Sequence, residues 1–158
     1  MTFRRGQRLA VDVGTVRVGV AACDPDGILA SPVGTLYRRE GDEAVLKQFA
    51  QLIEEYEPIE IISGKPTSLD GRQRASAKKA LAFTEQLSRA VGMPIKLMDE
   101  RFSTSQAHAQ LAEAGRNSKQ RREIVDAQAA VIILQSALEY ERSNGPLTES
   151  VGVGEEPA

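Results

Sequence analysis

The short apolar run "IEIISG", residues 59–64, restricts the fold more than any other segment of this sequence. It follows an amphipathic helix, predicted over 42–57 from apolar residues at helical spacing, and a polar loop and a second helix come after it. Another strand, "MPIKLMDER" (93–101), follows that second helix. Because strands joined through helices are usually parallel neighbours, the sequence predicts an α/β fold with a parallel core.

The segments at either end of this core complete the predicted sheet and its helices. "RLAVDVG" (8–14) and "RVGVAACDPDG" (17–27) are predicted strands joined by a tight turn, and a third strand from residue 28 contains Pro32, which is typical of an edge. Two more helices are predicted, over 103–115 and 123–141. The result is a mixed five-stranded sheet with helices packed on it.

The length of 158 residues fits one domain, predicted over 1–143. Gly, Pro, Glu and Ser dominate 144–158, which predicts a disordered tail. No apolar run approaches the ~20 residues of a membrane helix, and the N-terminus lacks the features of a signal peptide, so a cytoplasmic protein is expected. Cys23 is the only cysteine, and we expect it to be a small core residue.

Asp12 lies inside the first strand, between two valines. Burying an ionised carboxylate without a partner costs several kcal/mol or more, so a partner is expected. An ion pair with Arg17, or a helix cap, would be a purely structural explanation. A catalytic role is the alternative.

A second acidic position is "DER", residues 99–101, at the end of the last predicted strand. Adjacent strand residues point to opposite faces, so Asp99 and Glu100 cannot both enter one cleft. An ordinary charged strand end is the structural alternative here.

A third acid, Asp126, heads the stripe of the final helix that should face the sheet. The positions that continue this stripe are all apolar. The helix dipole could account for an acid in the first turn, with a stabilisation of about 0.3–1 kcal/mol. The residues that define the stripe are Ala129, Ala130, Ile133, Leu134 and Ala137.

Three acids in these places have one common explanation, a site for Mg²⁺ or Mn²⁺, since both ions prefer oxygen ligands. Two such ions ~4 Å apart activate a water and stabilise the leaving oxygen of a phosphodiester. The sequence therefore predicts a metal-dependent nuclease.

Four sequence blocks resemble those of a known family: "VDVGTVRVGVA", "ISGKP" with "DGRQ", "DERFST" and "VDAQAAVIILQSAL". In their order and approximate spacing they resemble the YqgF family, also called RuvX or pre-16S rRNA nucleases, over residues 6–140. The resemblance implies a ribonuclease H-like fold, with Asp12, Glu100 and Asp126 as metal-binding catalytic acids. It also implies processing of the 5′ end of pre-16S rRNA, with Holliday junction resolution as the alternative. Lys65 and the C-terminal extension depart from the family pattern.

Basic residues near these acids are candidate contacts for a nucleic-acid backbone. The segment "RNSKQRR" (116–122) immediately precedes the Asp126 helix, although solvated charge is the ordinary fate of such a run. Aromatic residues are scarce, at 4%, which favours backbone and shape recognition of structured RNA or branched DNA over base stacking. The candidate substrate-binding residues are Arg17, Lys65, Arg101, Arg116, Lys119, Arg121 and Arg122.

Two other functions stay open at the level of sequence. "DVGT" after an apolar strand also matches the phosphate-binding hairpin of the superfamily that contains actin and the sugar kinases, but a second such hairpin is absent from the sequence. A nucleic-acid-binding module without catalysis is the other reading, against which the three acids argue. RNA and DNA are not distinguished, and neither are a monomer and a homodimer; a dimer would suit paired cuts in a junction.

Overall fold

The computed structural model describes residues 3–65, 71–99 and 118–154, with the side chains of 71–76 and 118–126 left out of the description. The predicted helix over 103–115 lies outside these residues. The described elements alternate as the sequence predicts. They are β1 (Arg8–Val13), β2 (Arg17–Cys23), β3 (Ala30–Tyr37), a short 3₁₀ turn (Arg38–Glu40), α1 (Asp42–Tyr56), β4 (Glu60–Lys65), α2 (Gly71–Val91), β5 (Ile95–Asp99), α3 (Ser118–Asn144) and β6 (Ser150–Val151).

The strands form one mixed sheet in the order β3-β2-β1-β4-β5-β6. β1, β4 and β5 are parallel neighbours, which confirms the parallel core, and the other pairs are antiparallel. β3 lies at an edge, as Pro32 indicates, and a bulge interrupts its pairing with β2 between Val20 and Ala21.

Helices cover both faces of the sheet. Alternate β1 residues divide between two cores: Leu9 and Val11 pack with α1 and α2, whereas Ala10 packs with α3. α1 contributes Val45 and Phe49 to the first core, and α2 contributes Phe83 and Leu87. We call these two surfaces of the sheet the α1/α2 face and the α3 face.

Periodicity predicts a part of the buried surface of α3. Ala130, Leu134 and Ala137 of the predicted stripe are buried on the α3 face, and so is Val131, which lies outside that stripe. α2 stops at Gly92, which adopts a left-handed φ of +70° and donates its N–H to the Ser88 carbonyl at 2.9 Å. In the described part of the chain, no helix has both the length and the apolarity needed to span a bilayer.

The segment that follows α3 contains one further strand, in a stretch where the sequence predicts a disordered tail over 144–158. Ser150 and Val151 form β6, which adds a sixth strand to the predicted five by pairing with β5. Leu147 and Val151 are buried, and the Val153 N–H donates to the Ser88 Oγ at 2.9 Å. The polar composition of this segment gave no sign that Leu147 and Val151 are buried or that the segment pairs with the edge strand β5.

Four charged residues form a network at the amino-terminal end of β1, far from the turn that ends the strand. Arg8, whose side chain is 1% exposed, donates to Glu141 of α3 at 3.0 Å, and Arg4 donates to Glu60 at 2.7 Å and also to Glu141. Burial alone would raise the pKa of Glu141, but hydrogen bonds from Arg4 and the charges of both arginines hold that pKa below its ordinary value. This network therefore joins the N-terminal segment to the end of α3.

Cys23 is buried beside this network, as expected of a core residue. The Arg8 N–H lies 3.3 Å from its Sγ, and burial raises the pKa of the thiol. The side chain is thus a part of the α3-face core.

Candidate active site

Asp12 lies on the α3 face of the sheet, near the end of β1. Side chains alternate along the strand, so Asp12 shares a face with Ala10, which packs against α3. The residue is half-buried and pairs across the ladder with Gly19 of β2.

A tight turn joins β1 to β2 directly after the Asp12 end of β1. The Gly14 N–H donates to the Arg17 carbonyl at 2.9 Å. A Cβ at Gly14 would lie 2.8 Å from that same oxygen, so no larger residue fits without moving the backbone. Arg17 begins β2, and alternation places it on the α3 face, the face of Asp12.

The path of α3 brings its N-terminal half toward the Asp12 end of the sheet. The C-terminal end of the helix contacts Arg8 through Glu141, at the opposite end of β1. Further back, Ile133 packs on Gly64 near the end of β4, where a Cβ would come within 3.0 Å of the Ile133 Cδ1. Asp126 precedes Ile133 by two helical turns, or about 10 Å of helix. The backbone of Asp126 is part of α3, but its side chain is outside the described set.

Lys65 and Asp99 end neighbouring strands on the other face. They are partners in the β4–β5 register, and alternation groups them with Ile61 and Leu97 of the α1/α2 core. The Lys65 Nζ lies 2.9 Å from the Glu149 Oε1, in the segment that leads into β6. Lys65, predicted to bind substrate, is therefore held by the C-terminal segment and does not share the face of Asp12.

Several predicted site residues cannot be located by side chain. Glu100, Arg101 and Arg116 lie outside the described residues. Lys119, Arg121 and Arg122 lie in the first turns of α3, and nothing is described beyond their backbone. Their roles stay predictions.

Arg38 is a residue of this region that sequence reasoning missed. Its backbone N–H donates to the Val16 carbonyl at 2.9 Å, and its Nη1 donates to the Gly14 carbonyl at 2.8 Å. Both acceptors belong to the β1–β2 turn. The arginine follows β3 in a run of ordinary polar residues, so only the pairing of β2 with β3 reveals its target.

Glu141 was missed for a different reason. The buried residues of α3 include Ala130, Leu134 and Ala137 and, about one turn further on, Glu141, whereas the predicted stripe stopped at Ala137. Arg4 and Arg8 neutralise the Glu141 carboxylate.

The donor chemistry near the end of β1 fits a hard divalent cation. Asp12 supplies a half-buried carboxylate there, whereas the only cysteine lies at the far end of the sheet. Carboxylate oxygens suit Mg²⁺ and Mn²⁺. Among described side chains, no group of three or more acids, histidines or cysteines comes together, because two of the three predicted acids fall outside that set.

Comparison with known proteins gives a consistent set of relatives. A family model described as "RuvX: Holliday junction resolvase" matches residues 6–140. A Streptomyces avermitilis protein named "Putative pre-16S rRNA nuclease" is 51% identical over 146 residues, which cover 92% of this chain and 93% of that protein. A Streptomyces coelicolor protein of the same name is 49% identical over 153 residues, covering 96% of this chain and 91% of the relative.

The fold is similar to that of a solved resolvase. The RuvC protein of T. thermophilus in complex with a Holliday junction substrate superposes with a TM-score of 0.60 at 10% sequence identity, covering 90% of this chain and 98% of RuvC. At this identity the likeness concerns the fold alone, and it confirms the ribonuclease H-like expectation.

Proposed function

The chain belongs to the RuvX family and is a phosphodiester-cleaving nuclease of that family, and from this premise we propose that it is a divalent-metal-dependent endonuclease that processes the 5′ end of pre-16S rRNA. The observation that carries the choice of substrate is the name borne by relatives about half identical over nine tenths of the chain. The position of Asp12 on the α3 face supports the proposed catalytic site.

Asp12, Glu100 and Asp126 are the proposed ligands of the metal. Met98 packs on the α3 face and strand alternation places Asp99 on the other face, so Glu100 and not Asp99 is proposed as the ligand from "DER". Asp126 belongs to the helix that packs on that face. The same alternation excludes Asp99 from this set.

Each of these residues has a defined task in the proposed reaction. The bound cation supplies an activated water and stabilisation of the leaving oxygen. Asp12 lies near the end of β1, a strand inside the sheet, and would hold its carboxylate at a fixed position for the metal. Arg17 shares the face of Asp12 and would bind the scissile phosphate as a cation.

The remaining predicted contacts would extend the binding surface beyond the scissile phosphate. Basic residues at the start of α3 lie at the end of the helix that approaches the Asp12 edge, so they would bind the flanking backbone of the nucleic acid. These residues are Lys119, Arg121 and Arg122; Arg101, Arg116 and Lys65 are the other predicted contacts.

Resolution of a Holliday junction is the second candidate, and the description of the matching family favours it. Paired cuts in a junction need two active sites, so this function would require a homodimer. Processing of one RNA strand needs only one site. A homodimer in solution would therefore favour junction resolution, and a monomer would favour processing of the RNA.

The test compares the wild type with Asp12→Asn and with a matched control, Asp26→Asn. Asp26 is an exposed acid at the opposite end of the sheet, paired only on the surface with Arg5. Each protein is incubated with a pre-16S 5′ leader RNA and with a four-way DNA junction, in Mn²⁺ and in EDTA.

Cleavage of the RNA that disappears with EDTA and with Asp12→Asn, but persists in Asp26→Asn, is the expected result. Cleavage of the junction alone would replace the proposed substrate by the second candidate. Binding of either substrate without cleavage would identify a binding module and overturn the proposal.

A further inference from the structure

We propose that Arg38 is a positioning residue that holds the β1–β2 turn, and through it the carboxylate of Asp12, in the geometry that metal binding requires. The inference rests on the proposed function for the role of Asp12. Its structural part concerns only the turn and rests on the hydrogen bonds that Arg38 donates to it.

Arg38 holds both sides of the turn at once. The backbone N–H binds the Val16 carbonyl at 2.9 Å, and the side chain binds the Gly14 carbonyl at 2.8 Å. Val16 is 55% exposed, so the turn has little packing of its own and water competes for its backbone carbonyls. The hydrogen bonds from Arg38 therefore restrain the turn from outside it. The last ladder pairs before the turn are Val13 with Val18 and Asp12 with Gly19.

The guanidinium of Arg38 is itself fixed from three directions. Its Nε lies 3.1 Å from the Asp42 Oδ1 and its Nη2 lies 3.3 Å from the Asp42 Oδ2, a forked pair at the start of α1. The plane of the group lies over the ring of Phe83 at 4.2 Å, and Phe83 is buried in the α1/α2 core. Arginine alone offers a planar fork that can bind a carboxylate and a carbonyl together while stacking on a ring.

Rigid positioning matters because Asp12 is only two residues from Gly14. A catalytic constellation works within about 0.5 Å of its productive geometry. A turn that loses its clamp lets the end of β1 fray, while the sheet below it keeps its ladder and its two cores. Loss of Arg38 should therefore weaken the metal site more than it weakens the fold.

The test compares wild type with Arg38→Gln, Arg38→Lys and Asp42→Asn, using Arg39→Gln as the matched control. Arg39 is the next residue and is exposed, with its guanidinium 5.1 Å from the Tyr37 ring. The readouts are Mn²⁺ affinity by titration calorimetry, the Mn²⁺ dependence of single-turnover cleavage, and hydrogen exchange of the Gly14 amide.

Arg38→Gln is expected to weaken Mn²⁺ binding by about tenfold, at the lower end of what supporting residues contribute to a metal site. Exchange at Gly14 should accelerate, Asp42→Asn should give the same changes in part, and Arg38→Lys should not restore the wild-type values. Arg39→Gln should match wild type.

Unchanged Mn²⁺ affinity and unchanged exchange in Arg38→Gln would overturn the role of Arg38 while leaving the proposed function intact. A lower melting temperature with normal Mn²⁺ affinity would also overturn it, since that result describes a purely structural residue. Absence of Mn²⁺ binding and of cleavage in the wild type would instead overturn the proposed function and, with it, this role.

Discussion

The Lys65 Nζ lies 2.9 Å from the Glu149 carboxylate, so the end of β4 and the segment that leads into β6 bind each other. Both side chains are partly exposed, and such pairs contribute about 0.2–1 kcal/mol. A phosphate could therefore compete with Glu149 for the lysine at small cost. The ion pair with Glu149 thus limits how readily Lys65 would bind a phosphate.

The first prediction concerns this competition. Glu149→Gln should raise affinity for the nucleic-acid substrate by about 1.4- to 5-fold, the equivalent of the exposed pair. Lys65→Gln should lower affinity and reduce the slope of log affinity against log salt by about 0.7–0.9, the value for one phosphate contact. Fluorescence anisotropy across a salt series measures both. If Lys65→Gln leaves the slope unchanged, Lys65 serves only to hold the C-terminal segment.

The second prediction separates two adjacent acids. Glu100→Gln should lower the cleavage rate by at least about a hundredfold, since several kcal/mol of transition-state stabilisation depends on the metal. Asp99→Asn should retain the rate within a few fold, because strand alternation directs Asp99 to the other face. Single-turnover cleavage in saturating Mn²⁺ measures the difference. Equal losses in both variants would contradict the assignment by alternation.

The third prediction concerns Asp126. Asp126→Asn should also lower the rate by at least about a hundredfold, with the fold intact. Removing one of several clustered carboxylates relieves repulsion when metal is absent, so the apo protein should unfold at an equal or higher temperature. Cleavage kinetics and a thermal melt in EDTA test the two parts. Full activity in this variant would remove Asp126 from the site.

The fourth prediction concerns the buried charges at the other end of the sheet. Glu141→Gln should lower the free energy of unfolding by about 3–5 kcal/mol, because it leaves the buried Arg8 without its carboxylate. Glu139→Gln is the matched control, since Glu139 is exposed on the same helix. Urea unfolding at pH 7 measures both variants.

The same network predicts how the free energy of unfolding changes with pH. The pKa of Glu141 is lowered in the folded protein, so its stabilisation is complete above the ordinary glutamate pKa of about 4.3 and is lost as the pH falls through the folded value. Wild type should therefore lose stability in acid more steeply than Glu141→Gln. Parallel slopes below pH ~4.3 would show that Glu141 is not the responsible group.

The fifth prediction tests the ordered C-terminal segment. Leu147→Ala should lower the free energy of unfolding by about 2–5 kcal/mol, as expected for a buried leucine. Val153→Ala should cost far less, because Val153 is 38% exposed. Urea unfolding distinguishes the two, and equal small effects would mean that the segment does not pack on the sheet in solution.

The sequence predicts this fold well where a local pattern, such as helical spacing of apolar residues or a proline in a strand, is typical of one structure only. Apolar residues at helical spacing predicted α1, whose Val45 and Phe49 are buried in the α1/α2 core, and the position of Pro32 indicated the edge strand. Patterns that describe a chain one segment at a time do not reveal long-range partners. Arg38 and Glu149 acquire their roles only when β2 meets β3 and when β6 meets β5, so no local signal marks them.

The predicted site shows the same division. Asp12 was identified because a carboxylate in an apolar strand needs an explanation, and the structure places it on the α3 face. Lys65 was predicted to bind substrate as one of the basic residues near the candidate acids. The face of the sheet on which Lys65 lies, and its pairing with Glu149, depend on how β4 and β5 align and on where β6 adds to the sheet. A single segment of sequence does not carry that information.

The separation of Arg8 from Glu141, 133 residues along the chain, has a consequence for synthesis on the ribosome. The central strand β1 is made first, yet the carboxylate that neutralises its buried arginine is made near the end of α3. A nascent chain with only β1, β2 and β3 would have to leave that cation in water or bury it unpaired. We therefore expect the burial of Arg8, and with it the final docking of this end of the sheet, to be completed only after the end of α3 has emerged.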